Sequence, residues 1–401
     1  RKTPERRVAE TLHKFTGYFA LRWISEPESM PKNDLGIQPR ESLNCQRYLS
    51  APLSVLWELT HRCNLKCHHC LTSCGNTQQE YWSLANGKRL IDELAELKVF
   101  QITMGGGEPL MNPHFVDFVQ YATEKNFAIK LSTNGTMVNE DTLKTFAGMN
   151  IFAVQVSVDG TETTHDYLRQ SAGSYKKAVN ALLLFSKAGY HTVMNICVSN
   201  SNVNDIAELP ELAKSIGVSS LKIGLCASLG RANENKFNTK PAPKDISDLA
   251  KRMRESEEKL GADLNFQFDS IYPWLLDRKS GDDIVADDCY SKNNLSLGIG
   301  CSAGISQVVI SPKGEVYPCP YIRNSAGNVT SQSLYSIWHK SSILKELRDF
   351  DSDKIKGKCS KCIHRKNVCF GGCRGIAFAA TGDLYAEDPY CWLNLPTEEP
   401  T

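Results

Sequence analysis

Leu59-Thr60-His61-Arg62-Cys63-Asn64-Leu65-Lys66-Cys67-His68-His69-Cys70 carries three cysteines separated by three and two residues. One loop can therefore point three thiolates at a single metal centre. A zinc knuckle needs a fourth ligand, and His61, His68, His69 and Cys74 stand near enough in the chain to supply it. A 4Fe–4S cluster held by three thiolates instead keeps one iron open, free to be chelated by a small molecule with an amine and a carboxylate. Spacing alone does not choose between the two, but context does. An apolar run at residues 55–59 leads into the loop, and Gly105-Gly106-Gly107-Glu108-Pro109 follows the next apolar run.

The chain has 401 residues, 46 basic against 45 acidic, for a formal charge of +1. That length holds two or three domains, and the balanced charge argues against nucleic acid or an anionic membrane as partner. No apolar stretch reaches the length of a membrane span, and the opening Arg-Lys-Thr-Pro-Glu-Arg-Arg lacks the apolar core of a signal peptide. The expected location is the cytoplasm, where the 15 cysteines point to metal or redox chemistry rather than disulfides. Eleven of them cluster, three at 63–70 and eight between 289 and 391.

Outward from the loop, residues 1–50 read as an N-terminal extension. Val8, Leu12, Phe15 and Phe19 form a helical apolar stripe, and 26–39 turn to linker composition. Residues 51–268 alternate apolar runs at 53–59, 99–104, 127–132, 151–157, 191–198, 220–226 and 263–268 with helical patterns at 84–98, 113–125, 174–188, 203–216 and 244–260. Such alternation predicts an α/β fold, a parallel sheet with right-handed crossovers curling into a partial (βα)6 TIM-like barrel. Sites in such barrels lie at the carboxyl ends of the strands. There fall the cysteine loop, the glycines, Ser132-Thr133-Asn134-Gly135, Ser157-Val158-Asp159-Gly160, Asn195 and Gly230-Arg231. Each alone is an ordinary turn sequence; together they suggest a bound ligand.

Residues 269–401 break the pattern and read as a cysteine-rich α+β extension. Cys301, Gly314 and Cys319 flank a predicted hairpin built on Val308-Val309-Ile310 and a Pro-Lys-Gly turn. After a helical stretch at 334–348 come Cys359, Cys362, Cys369, Cys373 and Cys391. Seven cysteines exceed the needs of one metal, and two clusters use them economically.

The three-cysteine loop after one strand and Gly-Gly-Gly-Glu-Pro after the next make the chain resemble the radical SAM family, and the later cysteines resemble its SPASM extension with two auxiliary clusters. The departure is one residue: six, not five, between Cys362 and Cys369. The resemblance implies that Cys63, Cys67 and Cys70 hold the 4Fe–4S cluster that binds S-adenosylmethionine (SAM). It also implies that Gly106 and Gly107 let the backbone approach the methionine part, with Glu108 accepting from its amine. Ser157 and Asn195 would face the ribose and Arg231 the carboxylate, with Gly105, Ser132 and Asn134 completing the pocket. The first auxiliary cluster would take Cys301, Cys319 and Cys373, with Cys289 as fourth ligand, and the second Cys359, Cys362, Cys369 and Cys391, making three clusters in all. Cys45, Cys74, Cys197 and Cys226 are left as thiols in or near the core.

Within the family, Cys-His-His-Cys-Leu-Thr-Ser-Cys-Gly and Met-Gly-Gly-Gly-Glu-Pro are most similar to peptide maturases of the mycofactocin/PQQ type. The tail from Gly371 to Cys391 also resembles haem-pathway decarboxylases. Sulfatase maturases carry an Asp where Pro320 follows Cys319. The implied reaction is reductive cleavage of SAM to a 5′-deoxyadenosyl radical, which takes a hydrogen from a small peptide and leads to decarboxylation or a cross-link. The alternative substrate is an iron porphyrin, whose propionates Arg323, Arg365 and Arg374 could meet; a non-catalytic metal scaffold has no need of a SAM pocket. Expected partners are a flavodoxin or ferredoxin-type reductant and a separate peptide-recognition protein.

Overall fold

Each of the seven apolar runs becomes a strand: β1 (Ser54–Thr60), β2 (Gln101–Gly106), β3 (Ala128–Thr133), β4 (Ile151–Ser157), β5 (His191–Val198), β6 (Ser220–Leu225) and β7 (Asn265–Asp269). The computed structural model describes residues 49–75, 80–269, 301–362, 365, 369 and 371–391. The amphipathic stripe of residues 8–19, the linker at 26–39, Cys45 and Cys289 lie outside the described residues. Between the strands run α1 (Leu84–Glu96), α2 (Phe115–Glu124), α3 (Glu140–Phe146), α4 (Glu162–Arg169), α5 (Ser174–Lys187), α6 (Leu209–Ser215), α7 (Arg231–Glu234) and α8 (Pro243–Leu260). The pattern at 203–216 predicts an earlier start for α6. It begins at Leu209 because Pro210, lacking an N–H, belongs in a first turn.

Strands β1 to β7 pair in parallel in chain order. The predicted hairpin forms as β8 (Gln307–Ile310) and β9 (Glu315–Tyr317), antiparallel, with Gly314 at φ +82° in its turn. It does not stand apart. β8 lies parallel to β1, from Ser54 opposite Gln307 to Trp57 opposite Ile310, and β9 carries β10 (Gly327–Asn328), so one sheet has ten strands. β8 thereby covers an edge of β1 that would otherwise offer unpaired backbone groups. The helical stretch at 334–348 is two helices, α9 (Leu334–Lys340) and α10 (Ser342–Arg348), broken where Ser341 is extended (φ −65°, ψ 127°). A last helix, α11 (Arg374–Thr381), follows Cys373.

The two faces of the sheet differ. Val55, Trp57, Ile102, Met104, Ile129, Leu131, Val154, Val156, Met194, Ile196, Leu221 and Ile223 are all buried. Among the helices that complete their core, α1 and α2 pack so closely that a Cβ on Gly87 would lie 2.2 Å from the Phe118 ring, itself 4.9 Å from Trp57 between centroids. On the opposite face Thr103, Lys130, Ser132, Gln155, Ser157, Asn195 and Lys222 are only half-buried. The sheet is curled toward this polar face. Asp269 on β7 and Lys222 on β6 act electrostatically on Lys130 of β3, although four strands of a flat sheet would put β3 and β7 about 19 Å apart at ~4.8 Å per strand. Half-buried polar residues thus line the interior of an open, partial barrel, with the cysteine loop at its carboxyl-end rim.

Candidate cluster and cofactor site

The loop leaves β1 at Thr60 and is fastened at several points. Gly107 N donates to Thr60 O (2.7 Å), Glu108 N to Arg62 O (2.8 Å), Cys63 N to Gly75 O (3.1 Å) and His68 N to Leu168 O (2.8 Å). The end of β2 reaches this close because it lacks side chains: a Cβ on Gly107 would stand 2.2 Å from Arg62 O, and one on Gly106, at φ +117°, 2.6 Å from Thr60 O. Gly106 and Gly107 thus let two backbones meet. Arg231 clasps the far side, its Nη1 donating to Cys67 O (2.9 Å) and its Nη2 to Cys74 O. Two of its guanidinium N–H groups thus hold the loop's own carbonyls.

Cys63, Cys67 and Cys74 pack in one buried group with Cys70 against it. Burial first, and then the charges of Glu108 and its two companion thiols, push the Cys63 thiol up to about 12. The Cys74 thiol donates to Cys70 and holds Cys70 below the ordinary range. Burial raises Cys63 and Cys67, so these two crowded sulfurs are stable as thiolates around a cationic centre, and with Cys70 they form the donor set an iron–sulfur cluster uses. The histidines once eligible as zinc ligands are engaged elsewhere. His61 Nδ1 bonds Glu80 (2.7 Å), His68 stacks on Phe237 and His69 Nε2 faces Asp159 (3.3 Å).

Two buried carboxylates brace the site. Glu108 is completely buried, Oε1 accepting from Thr133 Oγ1 (2.7 Å) and Oε2 from Asn134 N (2.9 Å), and burial raises it to about 7. It ties the ends of β2 and β3, while Asn134 Nδ2 reaches Asn64 Oδ1 (2.9 Å) and the Cys63 sulfur (3.8 Å). Asp159, at the end of β4, accepts from Arg169 Nε (2.8 Å) and from Cys197 N (3.0 Å). Although burial pushes its carboxyl up, Arg169 and His69 hold it well below the carboxylate range. Arg169 Nη1 in turn approaches the Cys67 sulfur (3.7 Å). As a sequence, Asp159-Gly160 is a turn dipeptide; the role of Arg169 had no local signal.

Ser157, at the end of β4, and Asn195, within β5, are register partners, both half-buried. Gly105 and Ser132 are neighbours, a Cβ on the former lying 3.7 Å from Ser132 Cβ. Below them come Lys130 and Lys222, which sequence reasoning passed over. The signal was present in Ala128-Ile129-Lys130-Leu131-Ser132: polar residues at every second position are foreign to a parallel strand covered on both faces. Cys74 and Cys226 are buried thiols and Cys197 a half-buried one.

In the extension, burial and then the charges of Cys301 and Cys373 raise the Cys319 thiol. Burial raises Cys369 to about 12, with Asp388, Cys391 and Cys359 adding to it. Cys362 follows Cys359 in a turn, its N–H donating to Cys359 O (3.3 Å). Asp388 spans the two sets: Oδ2 accepts from Cys373 N (2.8 Å) and its own N–H donates to Cys359. The three arginines available for propionates are held by internal partners. Arg323 makes a two-pronged pair with Glu58 of β1 (2.6 and 3.1 Å), Arg365 meets Asp353 (3.0 Å), and the buried Arg374 donates to Leu384 O, Ala386 O and Gly371 O.

Comparison with known proteins agrees with this chemistry. The family described as the radical SAM superfamily matches residues 57–213, and the iron–sulfur cluster-binding domain SPASM matches 301–363. Mycofactocin maturase MftC of Mycobacterium tuberculosis is 32% identical over 365 residues, covering 88% of this chain and 86% of that protein. AdoMet-dependent heme synthase of Methanosarcina barkeri is 29% identical over 344 residues, covering 85% and 97%. Among solved structures, Streptococcus suis SuiB bound to precursor peptide SuiA superposes with a TM-score of 0.70 at 17% identity, over 96% of this chain and 89% of that one, a likeness of fold. The chain belongs to the radical SAM superfamily and carries a SPASM domain. It is a radical SAM enzyme that uses SAM and 4Fe–4S clusters, and among the described residues no helix is long and apolar enough to cross a membrane.

Proposed function

We propose that this enzyme modifies a small, ribosomally made peptide in the cytoplasm, abstracting a hydrogen near one end so that the residue is decarboxylated or cross-linked. The observation that carries the reading is the 32% identity to a mycofactocin maturase along 365 residues, joined to an interior lined by half-buried polar groups. Cys63, Cys67 and Cys70 hold the cluster that meets SAM. When bound, that pair supplies a carbon-centred radical that takes a hydrogen atom from the substrate. Arg231 and the glycines of β2 fix the loop, Arg169 sets a positive charge beside Cys67, and Glu108 with Asn134 holds the floor beneath Cys63. Gly105, Ser132, Ser157 and Asn195 line the rim where the adenosyl group lies. Cys301, Cys319 and Cys373, closed by Cys289, and the set Cys359, Cys362, Cys369 and Cys391 hold two auxiliary clusters. That grouping is supported by which thiols feel one another's charge. A flavodoxin or ferredoxin-type protein supplies electrons, and a separate recognition protein presents the peptide.

A porphyrin substrate is the second reading, favoured by the 29% identity to a heme synthase. Against it, Arg323, Arg365 and Arg374 each already meet an internal partner. Deuterium transfer into 5′-deoxyadenosine from a labelled peptide encoded beside this chain, against a labelled iron porphyrin, decides. Transfer from the peptide is expected; transfer from the porphyrin alone would overturn the peptide reading.

A further inference from the structure

We propose that Lys130 anchors a substrate carboxylate inside the curled sheet, with the Lys222–Asp269 pair beside it, making this chain selective for substrates that carry a free carboxylate into the interior. This rests on the enzymatic reading above and adds a specificity residue to it.

Lys130 sits on the polar face of β3, opposite Thr103 of β2 and Ala153 of β4 in register. Neither neighbour can neutralise an ammonium. Thr103 already accepts from Gln101 Nε2 (3.1 Å). The other cation of the interior, Lys222, has its counter-ion, Asp269, at 2.5 Å. Lys130 has neither an ion pair nor a hydrogen bond among the described residues. Among the described residues, His191 of β5 is a further titratable group nearby; its Nε2 lies 3.1 Å from Ser220 Oγ and its proton is disfavoured by burial and then by Lys130. Among the described residues Lys130 is thus the cation of this face left without an ion pair, and it is half-buried.

An ammonium kept from water without a partner is unfavourable. Burial first, and the neighbouring Lys222 second, draw it down to about 8. A carboxylate arriving in this space would restore the lost solvation through charge-assisted hydrogen bonds. The position suits a substrate rather than SAM. Lys130 precedes Ser132 by two residues, about 7 Å along the strand below the rim at ~3.3 Å per residue. A chain entering at the rim thus presents a reacting carbon near the cysteine loop while its carboxylate reaches inward. Peptide ends and porphyrin propionates share this chemistry.

The test uses the full, anaerobically reconstituted chain and two matched probe pairs: short N-acetylated peptides with a free or amidated carboxyl end, and an iron porphyrin with free or methyl-esterified propionates. Equilibrium binding should favour the free acid about tenfold or more, the equivalent of ~1.4 kcal/mol, in one pair. Which pair shows it identifies the source. Lys130→Gln should erase the preference and Lys130→Arg retain it. On the unaltered chain, amine-directed labelling at pH 8, mapped by mass spectrometry, should mark Lys130 and be blocked by the acid but not by its amide or ester. Equal binding of acid and neutral probe by the unaltered chain, a preference that survives Lys130→Gln, or labelling that no acid blocks would each overturn the proposal. An unaltered chain that cleaves SAM but shows no carboxylate preference overturns this inference alone. One that cannot cleave SAM overturns the reading beneath it.

Discussion

At the scale of single residues, the site depends on buried charges that only particular neighbours make tolerable. Glu108 illustrates the sign of the effect. Its carboxyl is raised from 4.5 to about 7, so the folded chain binds this proton more tightly than the unfolded one. The stability it contributes is complete below pH 4.5 and lost as pH rises through 7. At pH 8 the ionised group relies on its donors. Thr133→Val, which removes the 2.7 Å hydroxyl donor, should cost about 1–3 kcal/mol there and less at pH 5, read by anaerobic urea unfolding at the two values. An equal loss at both would mean that Glu108 does not titrate in this range. Asp159 works the other way. Held below 3.8 by Arg169 and His69 against the pull of burial, its contribution is present above that value and lost as pH falls further. Asp159→Asn takes from the buried Arg169 guanidinium its carboxylate partner, leaving the Cys67 sulfur beside it, and should destabilise by about 3–5 kcal/mol. A loss under about 1 kcal/mol would show that solvent reaches the pair.

Among the elements, the strands were legible because each is a short apolar run between turn residues, and every run named from the sequence became a strand of the sheet. What local pattern cannot carry is register between distant segments. Nothing in Gln307-Val308-Val309-Ile310 announces that it pairs with residues 54–57, nor that Arg323 reaches back to Glu58. The short helices α3 and α4 were also missed, since seven or eight residues show too little periodicity. Gly87, inside the helical pattern at 84–98, has its reason in packing. Gly87→Ala would drive a methyl into the Phe118 ring and should cost about 1–3 kcal/mol. Combined with Phe118→Leu, the two changes should cost less than their sum, because the smaller side chain leaves room. Strict additivity in thermal unfolding would place the strain elsewhere.

For the molecule as a whole, the metal chemistry was readable and much of its support was not. Thiolate sites announce themselves by spacing, and Cys63 feels the charge of Cys67 and Cys70, Cys319 that of Cys301 and Cys373, and Cys369 that of Cys359 and Cys391. Asp159, Arg169 and Asp388 reach those groups from separate elements, and Lys130 matters only once the sheet is curled; each needs the tertiary structure to be seen. On the proposed reading the loop at residues 63–70 alone carries the cluster that meets SAM, while the extension holds two clusters of its own. The most direct measurement is 5′-deoxyadenosine formation under strong reductant by the reconstituted variant with Cys63, Cys67 and Cys70 all replaced by Ala, with iron counted in the same sample. The unaltered chain should hold about twelve irons and make 5′-deoxyadenosine, and the variant should retain about eight, counting four per cluster, and make none. A variant that still forms 5′-deoxyadenosine, or an unaltered chain with only about four irons, would contradict it.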